Sequence, residues 1–255
     1  MRIGVLGTGN MADALATHWA RAGHEVVVAG RDPQKARRLA ERIGHGAQQG
    51  SPRTAAEFGE VVLAALPYGA GQQVAEELRA ALDGKVLLDC SNPIGPEFGL
   101  LTGGGPSAAR RLAAAAPGAH VVKAFNLCHE DVWRMRPPVF DGRPLAVPVC
   151  GDDAAALALV EELVRDTGCE PVTGGGLERA GLLEATAALF IGLWIGERAD
   201  AQAIAPPLAY ATGPRAGRVG HPSARRRTPP TGLTRSGPAG KGGRTEAGGL
   251  LGPYR

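Results

Sequence analysis

Residues 1–12 read MRIGVLGTGNMA: a short apolar run ends in Gly7-Thr8-Gly9, and helix-forming residues resume at Asn10. A strand that stops in a tight glycine turn and re-emerges as a helix is the opening unit of a Rossmann-type fold. Gly7 permits the turn, Gly9 lets a phosphate approach the backbone, and Ala12 is small enough for the helix to lie close on the strand, giving the spacing GxGxxA. Thr8, Asn10 and Met11 fill the remaining places around that turn. The N–H groups that start the helix have no intrahelical partner, so the turn suits a dinucleotide pyrophosphate.

The alternation continues outward from this unit. Strand patterns are predicted over 3–6, 25–29, 61–66, 85–89, 119–123, 145–150 and 170–173, with helices over 10–22, 33–43, 72–82, 107–116 and 153–167. Alternating strands and helices predict an α/β protein with a doubly wound, mainly parallel sheet. Asp32-Pro33 marks the start of the second helix, with Asp as the cap and Pro at the first helical position. The expected division is a nucleotide-binding domain over 1–175, a C-terminal helical segment over 176–212 and a tail over 213–255.

Composition supports this reading. The chain is 44% hydrophobic but only 4% aromatic, which fits Ala, Val and Leu packed between helices and a parallel sheet. Cys90, Cys128, Cys150 and Cys169 stand far apart with no CxxC pair, so neither a zinc site nor a secreted disulfide framework is expected. With no leader pattern at the N-terminus, the expected location is a reducing cytoplasm. The longest uncharged apolar run, 185–196, falls short of the roughly 20 residues that cross a bilayer, so no membrane span is expected. It lies in a helix predicted over 177–197 that is apolar on nearly every face. Such a helix must be covered, here by the sheet domain together with a second subunit in a homodimer, or by the chain alone. A short helical piece is predicted over 205–211.

Charge is divided unevenly. Residues 213–255 hold nine Lys or Arg against Glu246, a net +8, so the overall +3 leaves −5 for residues 1–212. This tail is rich in Pro and Gly, has no helical or strand period and lacks interleaved aromatics. Disorder is the expectation, and a nucleic-acid partner is not.

The end of the second strand normally decides between NAD and NADP, because an acid there binds the ribose 2′-hydroxyl and repels a 2′-phosphate. Here the place is taken by Ala29-Gly30-Arg31. Arg31 offers a planar fork to a phosphate and Lys35, one turn onward, a point charge, so NADP(H) is the expected cofactor. The alternative makes both cations ordinary surface charges and Asp32 the ribose acceptor. Three later loops should border the nicotinamide: Leu66-Pro67-Tyr68, Asp89-Cys90-Ser91-Asn92-Pro93 and Lys123-Ala124-Phe125-Asn126. Phe125 reads equally well as core, and Lys123 as a solvated charge at a strand end. His120 and His129 are near in sequence, yet no His, Asp or Tyr stands out as an acid or base.

The motifs GTGN at 7–10, GRDPQK at 30–35, LDCSNP at 88–93, GGGPSAA at 103–109 and VVKAFN at 121–126 resemble those of the NADPH-dependent coenzyme F420 reductase-like family. Its members are small Rossmann oxidoreductases that pass hydride between NADP(H) and a deazaflavin, and the likeness extends to about residue 212. The resemblance implies that Thr8, Asn10, Arg31 and Lys35 hold the NADP phosphates. It also places Pro67, Asn92 and Asn126 near the nicotinamide and makes a deazaflavin such as F420 the co-substrate; Pro93 and Phe125, from the same bordering loops, are expected at the cofactor too. The chain departs from the family in its basic tail and in Ala12, where many members carry Gly. Two rival reductases share the cofactor domain. An imine or carbonyl reductase of the pyrroline carboxylate type usually needs a longer helical domain than 177–212. A β-hydroxyacid dehydrogenase needs a catalytic Lys after the sheet, and residues 174–200 contain none. A non-catalytic NADPH sensor using the tail as its contact surface is the reading of a different class.

Overall fold

Strand β1 (Arg2–Leu6) and helix α1 (Asn10–Arg21) flank the Gly7 turn in the computed structural model, which describes residues 1–200 and 204. The next pair, β2 (Glu25–Ala29) and α2 (Pro33–Ile43), has the predicted bounds because its stop and start signals are local. The Asp32 carboxylate caps α2 by accepting from the N–H groups of Gln34 and Lys35 at 2.9 and 3.2 Å. Two elements then appear that the sequence reading did not contain, β3 (Gln48–Gln49) and α3 (Pro52–Phe58), the latter capped by Ser51.

The chain continues through β4 (Val61–Ala64), α4 (Ala70–Glu77), β5 (Val86–Asp89), α5 (Ala108–Ala115) and β6 (His120–Lys123). A further unpredicted stretch follows, made of the short α6 (Glu130–Trp133) and a hairpin of β7 (Val139–Phe140) and β8 (Arg143–Pro144). Last come β9 (Ala146–Gly151), α7 (Ala154–Asp166), β10 (Glu170–Gly175) and α8 (Ala180–Ile191).

Eight strands form the main sheet in the order β10-β9-β6-β5-β4-β1-β2-β3. All neighbours are parallel except β6 and β9, whose antiparallel contact pairs Val122 with Gly151 and Lys123 with Cys150. Successive residues of a strand face opposite sides, and each side carries its own core. Ile3, Val5, Val28 and Leu63 pack under α1, α2 and α7. Leu6, Ala29, Val62 and Leu87 pack under α3, α4 and α5. Burial on both faces explains why these strands read as runs of Val, Leu and Ala. Trp19 fills the first core completely, and its indole N–H donates to the Leu163 carbonyl at 3.0 Å, which binds α1 to α7.

The C-terminal helix corrects one expectation. Residues 185–196 read as buried, but only Ala180, Glu184, Ala187 and Ala188 of α8 are covered. Leu182 and Leu189 are 57% and 56% exposed, and Trp194 and Ile195 follow them on a wider-wound turn at Gly192–Gly196. Counted from Leu177 to Gly196, the helical run is 20 residues, long and apolar enough to cross a membrane by length and composition. The inner face of α8 is nevertheless tied to the sheet domain through Glu184. The helical piece expected over 205–211 and the tail over 213–255 lie outside the described residues.

Candidate functional site

The carboxyl ends of β2, β1, β4, β5 and β6 lie side by side, and every loop singled out in the sequence leaves from one of them. Gly7 begins the turn after β1 at φ +131°, and a Cβ there would stand 2.1 Å from the Ala65 carbonyl oxygen. Its N–H donates to Ala29 at 2.8 Å, so the turn is fixed between the ends of β2 and β4. Gly9 precedes α1, and a Cβ built on it would meet nothing within 4 Å. No side chain caps α1. An open cradle faces the first N–H groups of a 12-residue helix, which fits the pyrophosphate of a dinucleotide and would be partly filled by any larger residue at position 9. Met11 packs its side chain onto the core beneath. The Asn10 amide donates to Glu130 at 2.7 Å, and Arg134 pairs with Asp13 of α1 at 2.7 Å, so α6 holds the helix start in place.

Across the turn, a Cβ on Gly30 would lie 2.8 Å from the Thr8 methyl group, so the β1 and β2 loops meet closely here and a larger residue would displace Thr8. Arg31 and Lys35 come next, both exposed, and neither side chain forms an ion pair or hydrogen bond among the described residues. Asp32 has one carboxylate oxygen committed to the α2 cap.

On the other side of β1, a cleft opens between the loops after β4 and β5 and the flank of α5. Leu66, Pro67, Tyr68, Ser91 and Arg111 border it, with Asp89 below. Asn92 and Asn126 form a reciprocal clip: the Asn92 amide donates to the Asn126 carbonyl at 2.7 Å, and the Asn126 amide donates to the Asn92 side-chain oxygen at 2.9 Å. Pro93 is buried, and its carbonyl accepts from Leu101 at 2.7 Å. The loops after β5 and β6 are therefore one rigid piece.

Phe125 is corrected as a contributor of its side chain. The ring is 1% exposed and packs edge-on between Trp19 and Trp133, at centroid distances of 6.1 and 5.4 Å. Only its backbone, held at φ +60°, shapes the site. Such a conformation is strained for a bulky residue and persists because the two tryptophans fix the ring.

Lys123 is corrected too. It is fully buried, and its ammonium donates to Asp89 at 2.8 Å, to Glu184 at 3.0 Å and to the Ser91 carbonyl at 2.5 Å. Glu184 also accepts from the N–H groups of Ala108 and Ala109, so a carboxylate from α8 caps α5. Burial alone would lower the Lys123 pKa, but the charges of Asp89 and Glu184 and their hydrogen bonds together carry it above its ordinary 10.5. This network was missed because its members lie 34 and 61 residues apart. Glu184, an acid with apolar neighbours in a helix, was the available signal.

Neither histidine near these loops faces the cleft as a ready base. His120 opens β6 at the far edge of the sheet, 3.8 Å from Asp153, and His129 caps α6 by accepting from the Asp131 N–H. Burial pushes the Cys90 thiol up to about 12 and, with Cys169 nearby, the Cys128 thiol up to about 11, so neither is a thiolate nucleophile at neutral pH.

Comparison with known proteins bears on this geometry. Residues 2–93 match the family described as NADP oxidoreductase, coenzyme F420-dependent. The chain is 31% identical over 218 residues to the F420-dependent NADP reductase of Methanothermobacter marburgensis, covering 78% of this chain and 94% of that one. It is 32% identical over 196 residues to the metalloreductase STEAP3 of Rattus norvegicus; these are 76% of this chain but only 38% of STEAP3. A solved Arthrobacter protein assigned as an F420-dependent NADP reductase superposes with a TM-score of 0.67 at 26% identity, covering 77% of this chain and 95% of that one. Fold and relatives together define an NADP-linked oxidoreductase. Within that class the chain belongs to the coenzyme F420-dependent NADP oxidoreductase family.

Proposed function

We propose that the protein binds NADP(H) across the Gly7–Met11 turn and passes hydride between it and a deazaflavin of the coenzyme F420 kind. The observation that carries the cofactor choice is the pair Arg31 and Lys35, exposed and without partners among the described residues beside Gly30, while the neighbouring acid, Asp32, caps α2 through one carboxylate oxygen. Two cations there attract a 2′-phosphate, and the Asp32 carboxylate is held toward the α2 N–H groups.

The first-turn N–H groups of α1 and the Gly9 backbone would hold the pyrophosphate, with Thr8 and Asn10 at its sides. Pro67 would wall one side of the nicotinamide, and the Asn92–Asn126 clip with Pro93 would fix the other. When bound, NADPH supplies the hydride. The protein's part is to hold two rings face to face with the reacting carbons about 3 to 3.5 Å apart and to exclude water between them. This accords with a cleft whose neighbouring histidine and cysteine side chains are all otherwise engaged or un-ionised. The four free cysteines favour a reducing cytoplasm. We assign the uncovered side of α8 to a second copy of the chain, which sedimentation of the purified protein would detect as a dimer or refute as a monomer.

The deciding assay follows absorbance with NADPH or NADH and oxidised F420, beside FMN and a panel of imines and ketones. Rapid F420 reduction, faster with NADPH, is expected. Turnover of an imine or ketone alone would move the chain to the rival reductases, and NADPH binding with no turnover would leave the sensor.

A further inference from the structure

We propose that the cleft beside α5 contains an anion-binding subsite centred on Arg111, and that the hydride acceptor carries a carboxylate or phosphate there. The inference rests on the hydride-transfer reading and adds the charge of the acceptor to it. Arg111 is half-buried on the cleft wall, where its Nε donates to the Pro106 carbonyl at 3.2 Å. That bond orients the guanidinium and leaves its two terminal nitrogens without a partner among the described residues. Gly105 keeps the space for them, since a Cβ at that position would stand 3.4 Å from Nη2. Tyr68 and Ser91 line the same cleft, and their hydroxyls likewise have no protein partner among the described residues. Asp89, which also borders the cleft, is paired from behind with Lys123, which it shares with Glu184, and its other oxygen accepts from the Ser91 N–H. Three donor-bearing side chains thus line one cleft, and the one acid that lines it with them is engaged by Lys123 and the Ser91 N–H.

Distance separates this subsite from the cofactor's own phosphates. Arg31 leaves from β2 and the Gly9 cradle from β1, whereas Ser91 leaves from β5, three strands beyond β2 in the sheet. At about 4.8 Å per strand Ser91 is on the order of 14 Å from the β2 end and about 10 Å from the Gly9 cradle. Arg111 therefore lies at the nicotinamide end of the site, where the acceptor must enter.

Coenzyme F420 has a phosphodiester and carboxylates on its side chain, and the shortened deazaflavin that ends at its ribityl chain has none. Comparing the two as acceptors isolates the charge. For the wild type, KM for F420 should lie below KM for the shortened deazaflavin, and the gap should narrow as salt rises. In Arg111→Met, KM for F420 should rise about tenfold at unchanged kcat, with KM for the shortened acceptor and the Kd for NADPH each within about twofold. Arg111→Lys should restore part of the loss, as a point charge without the planar fork. Inorganic phosphate should compete with F420 in the wild type and not in Arg111→Met, a readout that stands even if one variant folds poorly. Equal KM for both deazaflavins in the wild type would overturn the subsite while leaving the proposed function intact. A rise in the NADPH Kd alone would reassign Arg111 to the cofactor. Turnover of neither deazaflavin would remove both readings.

Discussion

The two edges of the main sheet are built by the same alternation of strands and helices, yet they treat polar groups in opposite ways. At the amino edge the charges close on one another: Arg2 with Glu60 at 3.7 Å, His24 with Asp166 at 2.7 Å and His120 with Asp153 at 3.8 Å. At the carboxyl edge Arg31, Lys35, Tyr68 and Ser91 keep their side-chain donors open among the described residues, and the backbone is strained at Phe125. Paired groups stabilise the fold, while open donors and strain are held in place by it and await a ligand. Closed groups at the carboxyl edge, the Asn92–Asn126 clip, Asn10 with Glu130 and the buried Asp89–Lys123–Glu184 network, support the open donors beside them.

The sharpest test of that division is Lys123→Met. Removing the ammonium leaves two buried carboxylates without their counter-charge, and urea unfolding should show a loss of about 3–5 kcal/mol. Because the folded-state pKa of Lys123 is raised above 10.5, its contribution is complete below that pH and is lost as pH rises through the folded value. The deficit of the variant should therefore stay constant from neutral pH to about 10 and shrink above it. A deficit that disappears already near neutral pH would contradict the network as drawn.

Gly7→Ala should cost about 3 kcal/mol, since the new Cβ meets backbone at a φ that L side chains avoid, and NADPH binding should go with it. Normal binding to this variant would mean that the turn is not the cradle. Arg31→Ala should leave stability alone and weaken NADPH about ten- to a hundredfold while sparing NADH, measured by titration of cofactor fluorescence. Equal losses for the two cofactors would remove Arg31 from the 2′-phosphate. Asp166→Ala, at the closed edge, should lower stability by about 1 kcal/mol and leave both cofactor affinities unchanged. A change in affinity there would blur the distinction between the edges.

What the sequence made legible was local. The bounds of β2 and α2 follow from their glycine, Asp and Pro punctuation, and the GxGxxA turn carries its geometry in its residues. The edge strand β3 could not be read, since it is two glutamines that pair with Val27 and Val28 and bury nothing of their own. Helix α3 carried a start signal in Ser51-Pro52, but its seven residues are too few to show a period. The reversal of β9 was hidden because direction leaves no mark on the pattern within a strand. At the site, Arg31, Lys35, Asn92 and Asn126 could be chosen from loops at strand ends, whereas Arg111 sits inside a helix pattern and looks like a surface charge. Phe125 and Lys123 needed the third dimension, because what decides their roles are two tryptophans and two carboxylates far away in sequence.

The reach of Glu184 sets a lower limit on how far the chain can be shortened. A truncation at residue 176, where sequence alone would separate a cofactor module from its helical extension, would strand Lys123 beside a single carboxylate and uncap α5. The smallest autonomous folding unit must include α8 at least as far as Glu184, which makes that helix a keystone of the nucleotide-binding half rather than an accessory to it.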